Sequence, residues 1–183
     1  GAGTGLGIAT VHQIGTLLAP VPSEGGHVDF PFTSGEADFR FWISRETPEP
    51  ITYENIISGP GLERIHSVLR HEHPGTPRMP AAAIGRTSRT MSCSKATFEK
   101  FKTFYVRCAK NYALAAIARG GVIIAGGIAA KNLHVFSGFA KEFTNHHRKR
   151  YVAMLKDIPV KIIKDHDVGL KGAAFAARQF TKH

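Results

Sequence analysis

Apolar and polar positions along the 183-residue chain change period several times, and each change marks an element. Between Gly7 and Leu18, the residues Ile8, Val11, Ile14, Leu17 and Leu18 surround a glycine at 15. This suits a buried pair of strands with a turn at least as well as a helix, and we favour the strands. Pro20, Pro22, Gly25, Gly26, Pro31 and Gly35 then make residues 19–35 loop-rich, the kind of segment on which sites sit. Residues 37–44, with Phe39, Phe41, Trp42 and Ile43, predict a short amphipathic helix whose aromatics enter the core. Thr52 is placed to cap a short helix carrying Glu54, Gly59-Pro60-Gly61 stops it, and residues 62–69 supply a further turn or two. The proline-rich residues 70–80 read as an exposed connection, and His71 and His73, lacking a third metal ligand, as solvated loop histidines.

The clearest helical signal covers residues 90–118. Phe98, Phe101, Tyr105, Cys108, Tyr112 and Ala115 recur at three- and four-residue intervals, with Lys95, Glu99, Lys102 and Lys110 largely opposite. Arg119-Gly120-Gly121 ends it, and the apolar run Val122-Ile123-Ile124-Ala125 predicts a buried strand. Helical spacing resumes over 131–143, residues 159–163 predict another strand, and Gly169-Leu170-Lys171-Gly172-Ala173-Ala174 opens a terminal helix. Helices alternating with short apolar strands make the fold class α/β.

Nineteen glycines, ten prolines and 43% hydrophobic residues describe one globular domain. No apolar stretch approaches the ~20 residues of a membrane span, and no secretory segment is visible, so the cytoplasm is the default compartment. Cys93 and Cys108, without CxxC spacing, support neither a zinc site nor a disulfide framework. The net charge of +10 would fit an anionic partner, and His146-His147-Arg148-Lys149-Arg150 is the densest basic run. The remaining lysines and arginines are scattered and no aromatic platform interleaves the run, so neither nucleic acid nor a membrane is the expected partner.

Candidate chemistry gathers on the glycine-rich segments. Gly3-Thr4-Gly5-Leu6-Gly7 offers unobstructed backbone N–H groups and a hydroxyl, which suits a phosphate, while a tight hairpin is the competing reading. No Gly-Lys-Ser/Thr follows and the third glycine comes too early, which excludes a Walker motif and a dinucleotide fingerprint. Ser23-Glu24-Gly25-Gly26-His27-Val28-Asp29 places a carboxylate and an imidazole on a glycine-hinged loop. Gly120-Gly121 and Gly126-Gly127 bracket a strand and could serve packing alone. An early phosphate-type turn, a strand running into a double glycine and a late glycine–alanine helix together have the order of an ATP clamp.

The segments GAGTGLGIA, EGGHVDF, YENIISGPGL, GGVIIAGGIA and GLKGAA resemble, in this order and at comparable spacing, the bacterial glucokinases of the hexokinase, Hsp70 and actin superfamily. The resemblance covers nearly the whole chain. It implies an α/β large domain with a ribonuclease-H-like core, a mixed sheet flanked by helices, forming residues 1–183 as the C-terminal half of a two-domain sugar kinase. The implied reaction transfers the ATP γ-phosphoryl group to the 6-hydroxyl of D-glucose with Mg2+. Carried over by motif, Glu24, His27 and Glu54 face the sugar, Gly3, Thr4, Gly5 and Gly7 face the β- and γ-phosphates, and Gly126 and Gly127 lie close to the nucleotide, where a Cβ would collide with it. Residues 169–174 become the helix that helps connect the domains during closure. The family's catalytic aspartate and its first phosphate loop belong to segments before Gly1, so no catalytic residue and no metal ligand is assigned here, and the fragment alone is expected to be inactive.

The sugar assignments agree with the chemistry. Vicinal hydroxyls both donate and accept, carboxylates accept strongly from them, and imidazole does either. A homodimer is the family expectation for the parent protein. The alternative reading is a non-catalytic sugar-binding regulatory domain of kinase-like fold, which a helix-turn-helix upstream would favour. A structural ATP-binding protein of the actin-like class would have no reason to keep Glu24, His27 and Glu54 together.

Overall fold

In the computed structural model, which describes residues 1–165 and 167–180, two small sheets and nine helices alternate around a core centred on one long helix. Strands β1 (Ile8–Ile14) and β2 (Leu17–Ser23) form an antiparallel hairpin closed by Gly15 and Thr16, as the pattern predicts. Contrary to a buried pair, Val11, Ile14, Leu17, Leu18 and Val21 are all at least 46% exposed. Strands β3 (Val122–Ile124) and β4 (Val160–Ile162) pair in parallel, a pairing that requires the intervening helical crossover. The described residues thus hold antiparallel and parallel pairings in separate two-stranded sheets rather than one mixed sheet; residues 1–7, which lead into β1, reach the end of β3 through Ala2 N–H donating to Ala125 O without adding a strand. Ile124 is buried, whereas Ile123 points out at 64% exposure, so β3 is covered on one face only.

Helix α1 (Ala37–Ile43) forms where expected, but only Phe39 and Ile43 enter the core. Phe41 and Trp42 stay 52% and 40% exposed, with Arg45 lying over Phe41 and His71 stacked on Trp42. A seven-residue amphipathic helix has one buried stripe, and these two aromatics lie off it. Thr52 caps α2 (Tyr53–Ile56) through a capping box with Asn55. Helix α3 (Gly59–Leu69) begins at Gly59-Pro60-Gly61 rather than after it. Ser58 accepts from Gly61 N–H and Pro60 occupies the first turn, where its missing N–H costs nothing. Helix α4 (Ala81–Thr87) lies where no element was expected.

Helix α5 (Ser92–Ala116) is the scaffold, about 37 Å long at 1.5 Å per residue. Phe98, Phe101, Tyr105 and Cys108 are buried along it, but Ala115 is exposed. Phe30, Phe32, Phe39, Tyr53 and Phe104 form edge-on and tilted ring contacts on one side; Tyr105, Phe136 and Phe139 do so on another. Lys102, expected on the solvent side, is buried instead. Burial pushes its ammonium pKa down, but Glu99 at 2.7 Å and Glu142 at 3.2 Å outweigh this and raise it. Arg107 clamps Glu36 through two bonds of 2.8 and 2.6 Å, tying the helix to the loop before α1.

The helix ends at Ile117, which adopts left-handed backbone angles (φ 46°). Its N–H bonds Leu114 O and that of Ala118 bonds Ala113 O, a Schellman closure. Residues 131–143 are not one helix. They divide into the end of α6 (Gly127–Lys131), a short 3-10 turn and α7 (Phe139–Phe143), separated at Asn132 and at Gly138. The basic run at 146–150 leads into α8 (Lys149–Lys156), and α9 (Val168–Phe180) follows β4. Both cysteines are free and buried, and no helix among the described residues is long and apolar enough to cross a membrane.

Candidate functional site

Residues 1–7 fold into a tight turn. Gly7 N–H donates to Gly1 O at 3.0 Å, Gly3 N–H to Gly5 O at 2.9 Å, and Ala2 pairs with Leu6. Three anchors hold the turn from outside. Ala2 N–H donates to Ala125 O beside β3, Gly59 N–H at the start of α3 donates to Gly3 O at 2.7 Å, and Glu54 Oε2 accepts from Leu6 N–H at 2.8 Å. No acceptor among the described residues takes up the N–H of Thr4 or of Gly5, so two donors remain for an anion.

The neighbouring loop is latched just as closely. Ser23 at the end of β2 donates to Ile8 O and accepts from Gly25 N–H. Residues Gly25–His27 make a single 3-10 turn that brings His27 Nε2 within 3.7 Å of Glu24 Oε2, with both side chains open to solvent. Beneath them, Gly25 and Gly26 are buried. The Tyr112 hydroxyl donates to Gly25 O at 2.6 Å, and burial raises its pKa above the ordinary value, which keeps it a donor.

Glu54 arrives from α2, fixed by the Thr52 cap at one end and by the Ser58 hydroxyl donating to Glu54 O at the other. A Cβ on Gly5 would stand 2.5 Å from Glu54 Oε2, and one on Gly26 would stand 2.3 Å from Leu6 O. At Gly26 the obstacle is backbone, so the loop and the turn fit together only with glycine there; at Gly5 it is the end of the Glu54 side chain, so a Cβ would displace the carboxylate from Leu6 N–H.

These pieces surround a cleft of about 540 Å³, within the usual range of small-molecule sites. Gly3, Thr4, Gly5, Gly7, Glu24, His27, Glu54 and Gly126 line it together with Leu6, Ile8 and Ser23; Gly127 does not. Gly126 has a second reason to be glycine, inside the chain itself. Its φ is +101° and a Cβ would meet Ala2 O at 2.3 Å, so the fold itself demands glycine there. Gly127 meets nothing of the chain within 4 Å. The sequence pattern missed Leu6, Ser23 and Gly26 as joints of the site and assigned Tyr112 to packing alone. Only the helical spacing of Tyr112 hinted that it could reach the loop.

A family model described as Glucokinase matches residues 1–180. The chain belongs to the glucokinase family. The glucokinase of Pectobacterium atrosepticum is 34% identical over 187 residues, covering 98% of this chain and 57% of that protein. That of Nostoc punctiforme is 35% identical over 205 residues, covering 97% and 59%. Among solved structures, a glucokinase from an Antarctic psychrotroph superposes with a TM-score of 0.79 at 27% identity, over 94% of this chain and 55% of that one. The glucokinase of Balamuthia mandrillaris, solved in complex with glucose, gives 0.80 at 26% identity over 97% and 52%. This glucokinase-family chain spans a little over half the length of the curated relatives it matches.

Proposed function

We propose that the chain forms one wall of the cleft of an ATP-dependent glucokinase and belongs to the ribonuclease-H-like large domain of a two-domain sugar kinase. The observation that carries this is the convergence of the Gly3–Gly7 turn with Glu24, His27 and Glu54 on a single cleft. Phosphate and sugar groups must lie side by side for phosphoryl transfer, and this wall presents the right chemistry for each in adjacent places.

On this reading Glu24 and His27 hydrogen-bond sugar hydroxyls, and Glu54 uses Oε1 for the sugar because Oε2 already serves Leu6 N–H. The free N–H groups of Thr4 and Gly5 face the β- and γ-phosphates, and the open space at Gly127 admits the nucleotide. Such a site works by positioning and by electrostatic stabilisation of the transferred group. Mg2+ carried on the phosphates of ATP would supply neutralisation of their charge. No trio of His, Cys, Asp or Glu among the described residues forms a cage for it, and such ions need one or two carboxylates at most besides phosphate and water. The aspartate that takes the 6-hydroxyl proton is assigned to a preceding segment of the parent protein, in a smaller N-terminal domain. A cytoplasmic homodimer completes the family reading.

The test is glucose-dependent ADP formation by the full-length protein beside Glu24→Gln and His27→Ala. Loss of one charge-assisted bond costs about 1.5–3 kcal/mol, so each variant is expected to lose about 10- to 100-fold in kcat/KM for glucose. Activity unaffected by both changes refutes the sugar assignment.

A further inference from the structure

We infer that Glu54 is also a positioning residue for the nucleotide: it holds the phosphate-type turn in shape through Leu6, independently of any contact with sugar. The inference rests on the proposed cleft only in taking residues 3–7 as the phosphate-facing segment.

The turn has two ties to the α2–α3 corner. Gly59 N–H donates to Gly3 O, and Glu54 Oε2 accepts from Leu6 N–H at 2.8 Å. Among the described residues the second is the only one of the turn's outside anchors made by a side chain, and its acceptor is a carboxylate. Leu6 is buried, and no other acceptor among the described residues takes its N–H if the carboxylate is lost. Glu54 is itself built in: Ser58 Oγ donates to its carbonyl, Thr52 caps its helix, and Gly5 lies so close that a Cβ would stand 2.5 Å from Oε2. The contact orients Leu6 and, one residue earlier, the Gly5 N–H that remains free for a phosphate oxygen. A residue that only bound sugar would need neither Gly5 nor Leu6 so near. Oε2 orders the turn, while Oε1 takes no hydrogen bond from the described residues and is left to the cleft that Glu54 lines.

The experiment measures the affinity of a non-hydrolysable ATP analogue for the full-length protein in the absence of sugar. Glu54→Ala removes the acceptor for Leu6 N–H and is expected to weaken analogue binding about tenfold, the scale of one charged hydrogen bond. Glu54→Gln keeps an oxygen that can accept from Leu6 N–H. It is expected to bind the analogue within about twofold of wild type while still losing glucose affinity. Gly5→Ala, which pushes against Oε2, is expected to weaken glucose binding measured without nucleotide. Analogue binding by a folded Glu54→Ala protein equal to wild type overturns the inference, as does failure of Glu54→Gln to restore it. A wild-type protein that binds the analogue but not glucose refutes the sugar reading and leaves this inference standing.

Discussion

Replacing Gly26 by alanine tests how tightly the Glu24–His27 loop and the Gly3–Gly7 turn are keyed together. A Cβ at position 26 would lie 2.3 Å from Leu6 O and 3.3 Å from Leu6 C, and the obstacle is backbone, which cannot rotate away. The separation falls about 0.7 Å short of the closest approach real Cβ atoms tolerate, so loop and turn must part by roughly that distance. Overpacking of this kind costs about 1–3 kcal/mol of stability. If these groups hold substrate as proposed, a shift approaching 1 Å between them costs up to about 10²-fold in turnover. Gly25→Ala is the comparison, because its Cβ meets a side chain rather than backbone, the Tyr112 hydroxyl at 2.8 Å and ring carbon Cζ at 3.0 Å, whose displacement costs the bond to Gly25 O. Thermal unfolding and glucose-dependent ADP formation, measured on the full-length protein, should show a large loss for Gly26→Ala and a smaller one for Gly25→Ala. A folded Gly26→Ala protein with kcat/KM for glucose within about twofold of wild type would refute the keyed arrangement.

Acid stability should report the Glu36–Arg107 clamp. Burial pushes the Glu36 carboxyl up, but the paired bonds from Arg107 and the Thr33 N–H outweigh it and hold its pKa below the ordinary 4.5. A depressed carboxylate stabilises the fold above its unfolded value and loses that contribution as pH falls through the folded one. Unfolding midpoints measured below pH 4.5 should therefore drop more steeply for wild type than for Glu36→Gln. At the end of α5, the left-handed Ile117 is 57% exposed and costs about 1–2 kcal/mol in backbone strain. Ile117→Gly is expected to raise the thermal midpoint, since glycine returns only about 0.5–1 kcal/mol of that as chain entropy; a lowered midpoint would show that its side chain packs more than its exposure indicates.

Periodicity carried the hairpin, α1 and α5, the Thr52 cap gave α2, and short apolar runs gave β3 and β4, each a signal local to its own segment. It failed at α4 and α8, whose seven and eight residues hold one buried side chain apiece, Ile84 and Leu155. One apolar position cannot display a 3.6-residue repeat. It also failed at Lys102, where a charge accompanies two carboxylates, one of them 40 residues away in Glu142 and invisible to any local window. The candidate site was legible as motifs, because a sugar needs carboxylate and imidazole and a phosphate needs bare N–H groups. What joins the motifs was not. The contacts Glu54–Leu6, Gly26–Leu6 and Tyr112–Gly25 cross 48, 20 and 87 positions, and nothing in the letters says which of several glycines faces a backbone oxygen.

The two buried thiols give this protein a built-in reporter of its own opening. Burial pushes Cys108 up to about 12 and raises Cys93 as well, so neither presents an appreciable thiolate at neutral pH while the fold is intact. A disulfide reagent mixed with the native chain has to wait for α5 to expose them. The rate at which the reagent is consumed thus becomes a clock for the scaffold helix, set by opening of the core rather than by sulfur chemistry.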